Sequence, residues 1–228
     1  MAERAVGRGA LCARQALLVQ SARLCDTGAC PDGVYATPDT DDFLRWNGVV
    51  FIRKGAYAPG VFRFSIQFDI KGEELTVPTV FFPPILLHPL VEPANGRLNM
   101  LPFLAFAQER AWPVDPADPA FLSCLMHFVA EIFDDNMLQG LLGQWVLNER
   151  MYTLFKSDRP LFDRLASQSA SLSTSEPSLY DTHSGSGVPG DRDVSLAQPY
   201  ATSSSHGALP FAPVGDEEVT RTRDQLLT

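Results

Sequence analysis

The apolar positions of this chain change period along its length. Over residues 5–24 they recur at helical spacing, with Ala10, Ala13, Leu17 and Leu24 on one stripe and the arginines largely off it. That pattern predicts an amphipathic helix, ended by the turn-forming residues 26–33. The period then shortens. Residues 34–36 predict a short strand ended by Pro38, and residues 43–53 a longer one carrying Phe43, Trp46 and the run Val49-Val50-Phe51-Ile52. Over residues 61–68 the alternation is clean: Phe62, Phe64, Ile66 and Phe68 point to a core, Arg63, Ser65 and Gln67 away from it. A polar turn over 71–74 leads to a fourth strand at 77–82, which Pro78, Pro83 and Pro84 shorten or confine to an edge. Helical spacing returns over 120–134 with Leu122, Leu125, Met126 and Val129, then over 138–166 in two or three segments broken at Pro160.

Composition divides the chain in two. Hydrophobic residues make up 45% of it, enough for one core, but large apolar side chains thin out beyond about residue 165. A domain over 1–166 is therefore predicted, followed over 167–228 by a Ser/Gly/Pro-rich tail with too few aliphatic side chains to offset the entropy of ordering.

The formal net charge of −9 repels phosphate backbones, so nucleic acid is not an expected partner. Apolar runs near 49–52 and 79–87 are too short for a membrane span, and no transmembrane segment is expected. Cys12, Cys25, Cys30 and Cys124 form no CxxC pair, which argues against a zinc site or a disulfide framework and points to a reducing, cytoplasmic setting. No metal or cofactor is expected. Residues 1–25 contain Arg4, Arg8, Arg14 and Arg23 against the single acid Glu3, the profile of a mitochondrial presequence. The amphipathic helix is the preferred reading of the same residues. Cys124 and His127, three apart on a helix, suggest a nucleophile and base, but no third orienting group accompanies them and core packing accounts for both.

One stretch stands out as a loop with a site-like build: His88-Pro89-Leu90-Val91-Glu92-Pro93-Ala94-Asn95-Gly96-Arg97-Leu98-Asn99. Its prolines and Asn-Gly pair predict an ordered, tightly turning segment. With Gly60-Val61-Phe62-Arg63-Phe64 before it and Trp112-Pro113 after it, it resembles the active-site region of ubiquitin-conjugating (E2) domains, where His-Pro-Asn, a loop ending in Asn-Gly and two further residues lead to the catalytic cysteine. Counting from Asn95-Gly96 arrives at Asn99, and a carboxamide is no nucleophile. Leu90 stands where the resemblance places the Asn of His-Pro-Asn, and it has no donor to offer an oxyanion.

The motifs Asp32-Gly33-Val34-Tyr35, Trp46-x-Gly48-Val49, Gly60-Val61-Phe62-x-Phe64, His88-Pro89-Leu90-Val91-x-Pro93 and Leu154-Phe155-Lys156-Ser157 are similar to those of the Fused Toes or AKT-interacting protein family, E2-like variants without the catalytic cysteine. The resemblance covers about the first 165 residues. It implies an α+β UBC (E2-like) fold with an N-terminal helix, a four-stranded antiparallel meander and C-terminal helices. The usual Tyr-Pro turn between the third and fourth strands is replaced here by residues 68–75. His88, Leu90 and Asn99 then become degenerate E2 positions, with no catalytic residue among them. The role implied is a scaffold joined to a Hook-like coiled-coil adaptor and an FHIP-like subunit, linking endosomal cargo to microtubule motors, with membranes reached only through partners. Two other readings stay open: an E2 variant that binds ubiquitin or an active E2 non-covalently, and an unconventional enzyme using another cysteine. Phe51, Phe81 and Phe82 are interface candidates by size alone.

Overall fold

The computed structural model describes residues 2–26, 28–72 and 74–175, with side chains from residue 11 onward. The tail from residue 176 and the side chain of Ala10 lie outside the described residues. Helix α1 (Ala2–Leu24) precedes strands β1 (Val34–Pro38), β2 (Arg45–Ile52) and β3 (Gly60–Gln67). The polar turn expected over 71–74 joins two short strands, β4 (Ile70–Lys71) and β5 (Glu74–Leu75), which pair as a small hairpin. It leads to β6 (Thr79–Phe81), then to α2 (Leu101–Arg110), α3 (Phe121–Glu131), α4 (Asp135–Gln139), α5 (Glu149–Ser157) and α6 (Arg159–Ser173).

The main sheet has the order β1-β2-β3-β6 and every pairing in it is antiparallel, so β6 is an edge strand as its flanking prolines require. Register puts Trp46 opposite Ile66, Gly48 opposite Phe64 and Val50 opposite Phe62, so the alternating residues of β2 and β3 form one continuous inner face. Gly48 is a packing requirement: a Cβ there would lie 2.3 Å from the Phe64 ring. Helix α3 lies against β1 and β2, α1 against α3, and α6 against β3. Leu122, Leu125, Met126 and Val129 are all buried, as their spacing predicts.

Two features depart from the sequence pattern. Helix α1 buries Ala13, Leu17 and also Gln20, whose amide donates to the Pro116 carbonyl at 2.7 Å and accepts from the Leu122 amide at 3.1 Å. A polar side chain thereby fixes α1 to the start of α3, and its burial is compensated at both ends. At the other end of the domain, α6 continues past residue 166 to Ser173 and buries Ala166, Ser169, Ala170 and Ser173. Small residues let this helix approach the sheet closely. The Ser173 hydroxyl accepts from the Val61 amide at 2.9 Å, and the Ser169 hydroxyl from the Leu87 amide at 3.2 Å. Pro160 sits in the first turn of α6, where its missing N–H costs nothing, and Asp158 caps that turn through the Leu161 amide.

Candidate functional site

The loop from His88 to Asn99 begins after β6 and ends at α2. Its second half returns along β6: Leu98 donates to the Val80 carbonyl at 2.8 Å, and Phe82 donates to Gly96 O at 2.8 Å. Gly96 has φ +76°, and a Cβ there would fall 1.9 Å from the Phe82 carbonyl oxygen, so only glycine fits the turn. Asn95 accepts from the Arg97 amide at 2.9 Å, closing the turn with its side chain.

His88 is fully buried, within 5.5 Å of both the Tyr57 and Phe133 ring centroids. Its Nδ1 accepts from the Leu90 amide at 3.1 Å, which leaves the proton on Nε2 to donate to the Ile132 carbonyl at 2.9 Å. Burial lowers its pKa to about 4, against the opposing pull of the Ile132 hydrogen bond. The ring is a neutral brace between the loop and the end of α3. Tyr57 stands behind it, donating to the Leu87 carbonyl at 2.8 Å.

Leu90 links the other two positions. Its N–H reaches His88, its carbonyl accepts from the Asn99 amide at 2.9 Å, and its side chain is wholly buried. Asn99 is a two-way tie: Nδ2 donates to the Trp145 carbonyl at 2.8 Å, and Oδ1 accepts from the Leu101 amide at 2.9 Å. The first bond holds the loop to a 3-10 turn at Gly143–Trp145, and the second satisfies a free amide at the start of α2. The Pro89 carbonyl accepts from both Leu147 and Asn148, each at 3.0 Å. Thus His88, Leu90 and Asn99 are joined through the Leu90 backbone, and each polar atom of the Asn99 side chain is engaged in holding the loop.

Sequence reasoning missed α2 and the partners of the loop at Ile132 and 145–148. The signal for α2 was present: Asn99 and Pro102 at a helix start and Arg110 in its last turn. No local signal marks Ile132 or Trp145, whose contributions are backbone carbonyls. Of the size-based interface candidates, Phe82 is a core residue, 5.7 Å from the Phe64 ring and 6.0 Å from that of Phe133, while Phe51 is exposed and meets Tyr35 edge-on.

Two of the thiols, Cys30 and Cys124, are half-shielded by the fold. Burial raises the pKa of Cys124, and Asp118 adds to it with Arg23 opposing; burial and Cys25 raise that of Cys30. Both shifts disfavour the thiolate that nucleophilic chemistry needs. Among the described residues, no group of three or more His, Cys, Asp or Glu side chains is placed to hold a metal.

Helix, antiparallel meander, tightly turned loop and trailing helices follow in the order that the resemblance to E2-like domains implies. The chain is similar in sequence to the crossbronx and AKT-interacting proteins, as its motifs suggest. It is 29% identical over 153 residues to a protein crossbronx homolog of Anopheles gambiae, which covers 65% of this chain and 61% of the relative. It is 38% identical over 68 residues to the AKT-interacting protein of Danio rerio, covering 30% of this chain and 23% of that one. The chain therefore spans less than two thirds of the length of these relatives. An E2 domain of a Toxoplasma gondii ubiquitin conjugating enzyme aligns with TM-score 0.48 and 18% identity, over 68% of this chain and 94% of that domain. No family model matches the chain.

Proposed function

We propose that this chain is a catalytically inactive E2-like scaffold, with His88, Leu90 and Asn99 at the degenerate positions of an E2 active site. The observation that carries the reading is the use made of Asn99: both polar atoms of its side chain are bonded, to Trp145 and Leu101, so the position works as a fastening. The role we assign is that of an adaptor subunit beside a Hook-like coiled-coil protein and an FHIP-like subunit, joining endosomal or vesicle cargo to microtubule transport in the cytoplasm. One relative's name records an interaction with AKT, which supports a protein-binding role in general.

Incubated with ubiquitin-activating enzyme, ATP and ubiquitin, the protein is expected to form no thioester sensitive to reducing agent. Asn99→Cys is expected to stay inactive, since it supplies sulfur while removing the Trp145 tie and leaving Leu90 without a donor. A reducible band in the parent protein, lost in Cys124→Ser, overturns the reading. Affinity purification from cells then separates partners: a long coiled-coil chain supports the adaptor role, whereas ubiquitin or an active E2 supports a role in ubiquitin signalling. The exposed Tyr35 and Phe51 pair on the outer sheet face offers an apolar surface for a protein partner of either kind.

A further inference from the structure

Helix α1 has two apolar faces. The inner one, through Ala13 and Leu17, belongs to the core. On the opposite side Leu11 is 67% exposed, Leu18 51% and Val19 47%. Leu11 and Leu18 are seven residues apart, two helical turns, so they sit one above the other, with Gln15 and Ala22 at intermediate turns of the same exposed side. Arg14 and Arg23 are exposed on the same helix; Arg14 also lies over the Phe43 ring at 5.6 Å, which leaves its charge near the surface.

Charge says what this face is suited to meet. The helix contains Arg4, Arg8, Arg14 and Arg23 against Glu3, a formal +3. The whole chain carries −9, so the remainder carries −12. A cationic helix with exposed leucines is the segment of an otherwise acidic chain that an anionic surface attracts. Basic amphipathic helices with leucine on the outward face bind in the plane of a membrane interface, combining apolar burial with attraction to anionic headgroups. Among the described residues no helix is long and apolar enough to cross a bilayer, so the contact is peripheral.

We propose that the outward face of α1 is a docking surface for anionic membrane lipid, with Leu11, Leu18 and Val19 entering the headgroup boundary and Arg14 and Arg23 pairing with lipid phosphate or carboxylate. This adds a direct lipid contact to an adaptor otherwise brought to membranes by its partners, and it does not depend on that role.

The test is co-sedimentation of the full chain with vesicles of phosphatidylcholine alone or with a quarter phosphatidylserine. Binding is expected only to the anionic vesicles and is expected to weaken as salt rises. Leu11→Gln with Leu18→Gln is expected to abolish it with little change in melting temperature, because both residues are more than half exposed. Arg14→Gln is expected to lower affinity about fivefold, the effect of about 1 kcal/mol for one basic residue near such a surface. Equal binding to neutral vesicles, binding to neither, or undiminished binding by the double variant overturns the proposal. So does a parent protein that is dimeric by sedimentation and turned monomeric by the double variant, since the face would then be occupied by a second copy.

Discussion

Phe64 and Arg63 are neighbours on β3 and point to opposite sides of the sheet. The Phe64 ring packs over Gly48 and 5.7 Å from Phe82, so removing it leaves a cavity between two strands and the chain that follows β6. Phe64→Ala is expected to cost roughly 3–5 kcal/mol, read as a fall in the urea midpoint, whereas Arg63→Ala costs far less because its side chain is on the outer face. Similar losses from the two variants would mean that the faces of β3 are reversed. At this scale the sequence was most legible where a residue's role follows from its own position in an alternation. It was least legible where the role depends on a distant backbone atom. Gln20 illustrates the limit: on the helix it reads as a polar residue beside an apolar stripe, and only the Pro116 carbonyl and the Leu122 amide, about a hundred residues on, explain its burial.

Elements are most legible where hydrophobic periodicity runs over several turns or a whole strand. β3 and α3 lie close to where their patterns place them. Helix α2 is hard to read because it follows the loop with no polar break after Asn99, although Pro102 suits a first turn and Phe103 and Ala107 keep helical spacing. The end of α6 was placed too early for the opposite reason. Its inner face is made of Ala166, Ser169, Ala170 and Ser173, which carry no hydrophobic signal but are small enough to reach the sheet. Ending the chain after residue 167 is therefore expected to destabilise the domain, while ending it after residue 175 is not. The shorter form leaves the Val61 and Leu87 amides without their hydroxyl acceptors, at about 1–3 kcal/mol each where they are shielded from water. Equal urea midpoints for the two truncations would show that this last stretch of α6 contributes no stability.

For the molecule as a whole, His88 couples folding to acidity. Its pKa is about 4 when folded, below its ordinary value of 6.5, so the unfolded chain binds the proton more readily. Stability is then independent of this group above about pH 7 and falls as pH drops through 6.5 towards 4. Between pH 7 and pH 5 the loss attributable to His88 is about 2 kcal/mol, measured as the change in unfolding free energy at the two values. His88→Gln, though less stable at neutral pH, is expected to lose that part of the pH dependence; an unchanged slope would place its origin elsewhere. The two serine hydroxyls of α6 also have a consequence for the timing of synthesis. Val61 and Leu87 leave the ribosome long before Ser169 and Ser173 are made. The sheet and the His88 loop can form early, but these two amides wait for the last helix. The domain is thus finished by one of its last parts to be translated, and a nascent chain paused before Ser169 exposes to chaperones the edge that α6 later covers.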